Sequence, residues 1–122
     1  MEDFHLLKST DINKAFLKSI SKVGESCNFE ICGAATKRKL HFFKNLSKTP
    51  KESFFVSPQE YVNLYGNIEF FFHSHCLGGP KPSEADIDAA HELLRPFIIY
   101  SSLEKNFSFY CPKTQKSIYF SL

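Results

Sequence analysis

The stretch from Ile68 to Ile87, IEFFFHSHCLGGPKPSEADI, restricts the possible folds more than any other part of the chain. Its apolar run, Ile68 to Phe72, suits a buried strand and is too short to span a membrane. His73-Ser74-His75 closes the run, and alternate side chains of a strand share a face, so both imidazoles point the same way. A loop with Gly78, Gly79, Pro80 and Pro82 follows, and Ser83-Glu84-Ala85-Asp86 opens a helical pattern. Asp86 then sits in the first helical turn, where the loop can bring it back toward the histidines. Two imidazoles and a carboxylate with a fourth position open are how catalytic zinc is held. Each residue also has a plain structural use: a histidine in the core, Ser83 as an N-cap, Asp86 as an acid balancing the helix dipole.

The spacing His73-x-His75, seven residues, Ser83, two residues, Asp86 resembles the signature of the JAMM (MPN-plus, or JAB-domain) zinc metalloproteases. That family also has a glutamate upstream, shortly before a small pair on an early strand, and Glu30-Ile31-Cys32-Gly33 looks like that element. The resemblance runs from about Asn28 to Ser101 and takes in Phe54-Phe55-Val56-Ser57-Pro58 and Pro96-Phe97-Ile98-Ile99-Tyr100-Ser101. It implies an α/β (α+β) domain of the MPN/JAB, cytidine-deaminase-like kind, a mixed central sheet flanked by helices. It implies one zinc ion on His73, His75 and Asp86, Glu30 as general base, and Ser83 helping to stabilise the oxyanion. The implied activity is hydrolysis of an amide or isopeptide bond at the C-terminal tail of a ubiquitin-like protein, by deconjugation or precursor processing. The chain is close to the family's minimal core, which resembles compact prokaryotic members, including those of bacterial ubiquitin-like, antiphage or sulfur-carrier systems. A phage tail-assembly peptidase, similar over Pro82 to Ser101, is the second reading, and a non-catalytic MPN scaffold is a third of another class. One position departs from the pattern: Cys76 follows the second histidine where the family usually has proline. Its thiol either enters as a fourth ligand or, by strand alternation, faces away from the metal.

Length and charge narrow the alternatives. A chain of 122 residues makes one domain, residues 1–122, and a net charge of +2 gives no footprint for nucleic acid. Fourteen phenylalanines and no tryptophan predict a core filled by aromatic rings. The four cysteines form no CxxC pair and the first residues lack a signal peptide's apolar core, so a reducing cytoplasm is expected, with no membrane partner. His5, His41 and His91 have no partner at ligand spacing.

Periodicity supplies the remaining elements. Ser9 or Thr10 caps a helix whose core face is Ile12, Phe16, Ile20 and Val23, stopped by Gly24. Residues up to Lys8 read as a short strand or an arm. Glu30–Thr36 and Leu40–Phe43 form a hairpin around Lys37-Arg38-Lys39. Ser53–Val56 is expected as an edge strand on which Phe54, Phe55 and Val56 receive an extended substrate. Ser57-Pro58-Gln59-Glu60 starts a helix carrying Tyr61, Val62, Leu64 and Tyr65 and ending at Gly66. The Ser83 helix presents Ile87, Ala90 and Leu94 to the core and stops before Pro96. Phe97–Ser101 is a buried strand, and Phe107–Cys111 and Ser117–Phe120 close the sheet.

Overall fold

In the computed structural model, which describes residues 12–122, the Phe-rich runs become the middle of a six-stranded mixed sheet. The elements are α1 (Lys14–Ser26), β1 (Cys32–Ala35), β2 (Leu40–Phe43), β3 (Phe70–His75), α2 (Glu84–Leu93), β4 (Phe97–Ser101), β5 (Asn106–Cys111) and β6 (Lys116–Phe120). Their spatial order is β2-β1-β3-β4-β5-β6. Only β3 and β4 run parallel, joined by the α2 crossover that parallel neighbours require; every other pair is antiparallel. This is the mixed α+β sheet with flanking helices that the element pattern predicts. No helix among the described residues is long and apolar enough to cross a membrane.

Each face of the sheet buries one core. Ile12, Leu17 and Ile20 on the α1 side pack on Phe70, Phe72, Ile98, Tyr100, Phe107 and Phe109. On the opposite face Ala90 of α2 joins Ala34, Ile68, Phe71, Phe97 and Tyr110. Alternation along β3 therefore sends Phe71, His73 and His75 to the α2 side and Phe72 and Ser74 to the α1 side. At Gly33, paired with both Phe42 and Phe72, a Cβ would lie 2.1 Å from the His41 carbonyl and 2.4 Å from Phe72 Cζ. The bare backbone gives the Phe72 ring its room. Gly33→Ala is expected to cost about 3 kcal/mol or more through forced backbone and ring shifts, read as a lower midpoint in urea unfolding with an unchanged slope.

Several local expectations are corrected. The Ser9 or Thr10 cap and the arm up to Lys8 lie outside the described residues. The helix starts one turn later, with Asn13 accepting from the Ala15 amide at 2.8 Å. Gly24 does not stop α1; it is buried within it, where a Cβ would meet the Tyr100 ring at 3.0 Å, so it serves close approach of helix and sheet. Leu94 is not on the core face: it is the left-handed cap of α2 and 54% exposed, while Ala90 is buried.

Ser53–Val56 is not a strand. It is held by Asn45, whose side chain donates to Ser53 O at 3.0 Å and accepts from Phe55 N at 3.1 Å, and by the Leu46 amide, which donates to Phe55 O at 2.8 Å. The Ser57 segment makes two 3-10 turns, Pro58–Glu60 and Tyr65–Asn67, instead of an α-helix. The stretch from Pro58 to Gly66 is too short to sustain a helix on propensity, and its partners lie elsewhere in the chain. Glu60 accepts the Lys44 amide, Tyr65 OH donates to Leu93 O at 2.5 Å, and buried Arg95 donates to the carbonyls of Tyr65 and Ile68. Val62 is left 61% exposed.

Candidate metal centre

The loop between β3 and α2 brings together the residues that the sequence spacing singles out. His73 Nε2 stands 3.0 Å from Asp86 Oδ1, and His75 Nε2 stands 3.1 Å from Asp86 Oδ2. These three side chains are the one group of potential ligands among the described residues whose atoms converge closely enough to hold a metal ion. Asp86 is fixed by a capping box: Ser83 Oγ accepts the Asp86 amide at 3.1 Å, and Asp86 Oδ2 accepts the Ser83 amide at 2.9 Å. The helix start thus aims the carboxylate, so the cap expected of Ser83-x-x-Asp86 is also what turns Asp86 toward the histidines.

The hydrogen bonding of the two rings suits a cation between these groups. His75 Nδ1 lies 2.8 Å from the Gly79 carbonyl, which can only accept, so Nδ1 carries the proton. In a neutral ring Nε2 is then a bare lone pair facing a carboxylate oxygen, an arrangement that calls for a proton or a metal between them. His73 is fully buried, and neither of its ring nitrogens has a hydrogen bond of proper geometry despite the short approach of Nε2 to Asp86. Buried imidazole nitrogens without partners are costly, and a metal ion would satisfy Nε2 of both rings. The donor set of two imidazoles and one carboxylate suits zinc and other divalent transition ions.

Charge states follow the same contacts. Burial pushes His73 down, partly opposed by the adjacent Asp86 carboxylate. Burial also acts to lower His75, but its bonds to Asp86 and Gly79 and the charges of Asp86 and Glu30 hold it above the usual range. Burial alone would raise Asp86; the two imidazoles and the Ser83 amide hold it well below the ordinary carboxylate range.

Glu30 comes from the opposite direction. The register Cys32↔His73, continued by the Ile31 amide donating to Ser74 Oγ (2.9 Å) and the Ser74 amide to Ile31 O (3.0 Å), sets Glu30 opposite His75 on the same face. Its backbone is gripped by Pro50 O and the Asn45 side chain, and the residue is only 5% exposed. Burial, assisted by Asp86 and opposed by His75, pushes its carboxyl up to about 7. Such a group can both take and give a proton near neutrality.

Glu30, His75, Ser83 and Asp86 line one cleft of about 560 Å³. Phe54, Phe55 and Val56 line it too, although not as a strand. Phe54 also stacks on the His73 ring, centroids 4.4 Å apart, with Phe97 edge-on to the same ring at 5.7 Å. Cys76 is partly buried and outside the converging group, its thiol pushed up by burial and by Glu30 and Cys27. Asn45, which fixes both Glu30 and the Phe54–Phe55 wall, carries no sequence signal that distinguishes it from a loop asparagine.

No family model matches the chain, and no curated protein does. Among solved structures, the chain is similar to the solution structure of protein DSY2949 from Desulfitobacterium hafniense, a Northeast Structural Genomics Consortium target. The match has a TM-score of 0.63 at 18% identity and covers 89% of this chain and 87% of that one. At this identity the likeness concerns the fold.

Proposed function

We propose that the chain is a compact JAMM-type zinc isopeptidase with an MPN/JAB fold, cleaving an amide bond at the C-terminal tail of a ubiquitin-like protein. The observation that carries this reading is the pair of Nε2 atoms turned onto the single Asp86 carboxylate, with Glu30 in register beside His75. The spacing of Glu30, His73, His75, Ser83 and Asp86, which resembles that family's motif, supports it. When bound, zinc supplies a Lewis acid that polarises a carbonyl and lowers the pKa of water from about 16 to about 7.

The chain's own residues supply the proton traffic. The Glu30 carboxylate takes the proton from the attacking water and hands it to the leaving nitrogen as the C–N bond breaks, giving a carboxylate and a free amine. Ser83 accepts the Asp86 amide with a lone pair, so its O–H remains free to donate to the carbonyl oxygen as negative charge develops there. A donor so placed contributes about 3 kcal/mol to the transition state. Phe54 covers His73 from the cleft, excluding water from that ring, while Phe55 and Val56 form a wall suited to an extended tail.

The test is cleavage of a ubiquitin-like protein fused through its C-terminus to a reporter. Zinc-loaded protein is expected to release the reporter, chelator to stop it, and added zinc to restore it. Purified protein that binds zinc but cleaves no such fusion, with or without neighbouring-gene modifiers as substrates, would favour a scaffold and overturn the proposal.

A further inference from the structure

The loop from Cys76 to Pro82 carries the carbonyl that sets the His75 ring, yet it has little means of holding itself. It contributes two glycines, two prolines and a Leu77 side chain that is 64% exposed. Its order comes from the neighbouring strands. Ser101 Oγ, at the end of β4, donates to Gly78 O at 2.6 Å, and Ser108 Oγ, on β5, donates to Pro80 O at 2.6 Å. Both donors are unambiguous, because a carbonyl can only accept. Between them lies Gly79 O, the acceptor of His75 Nδ1. Three successive loop carbonyls are therefore each occupied, the outer two by serines and the middle one by the imidazole.

Both serines are fully buried on the α2 side of the sheet, where apolar residues would pack at lower desolvation cost. Ser101 Oγ is fixed in turn by the Glu104 amide at 3.0 Å, and the Ser102 amide donates to His75 O at 3.1 Å, tying the end of β3 to the same corner.

We infer that Ser101 and Ser108 are positioning residues for the metal ligand His75, clamping the Gly78 and Pro80 carbonyls so that Gly79 O holds the imidazole with Nε2 toward Asp86. The inference rests on the metal reading above. Neither serine is placed to touch a metal or a substrate; each acts through the loop backbone. Hydrogen bonds that orient ligating histidines change metal affinity by roughly 10- to 100-fold when lost.

The experiment compares wild type with Ser101→Ala, Ser108→Ala and the double variant, measuring zinc affinity by competition with a chromophoric chelator. It also records exchange of the His75 Nδ1 proton with water by nitrogen-15 NMR of zinc-loaded protein. The double variant is expected to bind zinc roughly 10- to 100-fold more weakly and to lose protection of the Nδ1 proton. If that variant does not fold, the single variants are expected to show both effects to a smaller degree. Phe109→Leu, whose ring packs on the α1 side, is the control for a general loss of stability. Serine variants that keep wild-type affinity and a protected Nδ1 proton overturn the inference alone, as does an equal loss of affinity in Phe109→Leu. Wild-type protein that takes up no zinc overturns the metal reading and this inference with it.

Discussion

Asp86→Ala is expected to lower bound zinc from about one ion per chain to none measurable and to abolish hydrolysis. Asp86 is the polar hub of the group: it faces both Nε2 atoms, accepts the Ser83 amide and closes the cap of α2. Alanine leaves two imidazoles with no counter-charge, a poor site for a divalent cation. Zinc at a thousand times its dissociation constant is expected to stabilise the wild type by roughly 4 kcal/mol, a rise on the order of 15 °C in midpoint. The variant should show no such rise, and its zinc-free form should lose about 1 kcal/mol from the missing cap. Uptake should also weaken as pH falls, because protons compete for His75, whose affinity for them is raised. Metal content by mass spectrometry and melting with and without zinc read both effects. Zinc retained by Asp86→Ala would mean that the ion binds elsewhere.

Glu30→Gln separates catalysis from binding. Zinc content and KM should stay near wild type, and kcat should fall by roughly 10²- to 10⁴-fold, the usual contribution of a positioned base. In the proposed mechanism the charged form of Glu30 acts as the base, so kcat/KM should rise with pH as that group deprotonates. Its carboxyl is at about 7 in the zinc-free protein, and a nearby cation lowers it, so the plateau should begin at or below neutrality. Stability of the zinc-free protein should move the other way. The folded state holds this proton more tightly than the unfolded chain, so the contribution is complete below about 4.5 and is lost as pH rises through about 7. Glutamine carries no charge to bury. The variant should therefore gain on the order of 2 kcal/mol over zinc-free wild type at pH 8 and nothing near pH 4, measured by urea unfolding. A variant that cleaves at the wild-type rate would remove Glu30 from the chemistry.

The sequence carried the site further than it carried its surroundings. Alternation along Phe70–His75 and the Ser83-x-x-Asp86 cap are local rules, each obeyed within a few residues, and they put both imidazoles on one face and the carboxylate at a helix start. The strands read from apolar runs, Leu40–Phe43 and Phe97–Ser101, appear with the predicted bounds for the same reason. Where the expectation failed, the deciding contact was remote in sequence. The Phe54–Val56 wall follows the side chain of Asn45 instead of a strand partner, and the Ser57 segment is bent into turns by Arg95 and Leu93. Gly24 reads as a helix stop from sequence because nothing nearby in the chain announces the Tyr100 ring against it.

By itself the sequence determined which residues can share a strand face or a helix turn, because backbone geometry fixes those relations over a few positions. It therefore determined the histidine pair, the capping acid and the order of the remaining helices and strands, but not the Ser53–Val56 and Ser57 segments. Only the tertiary structure decided that Glu30 stands opposite His75, that Phe54 covers His73, and that Ser101 and Ser108 hold the loop between β3 and α2. Those relations depend on which strands pair and in what register, and register is set by burial of the whole sheet, which no local pattern encodes.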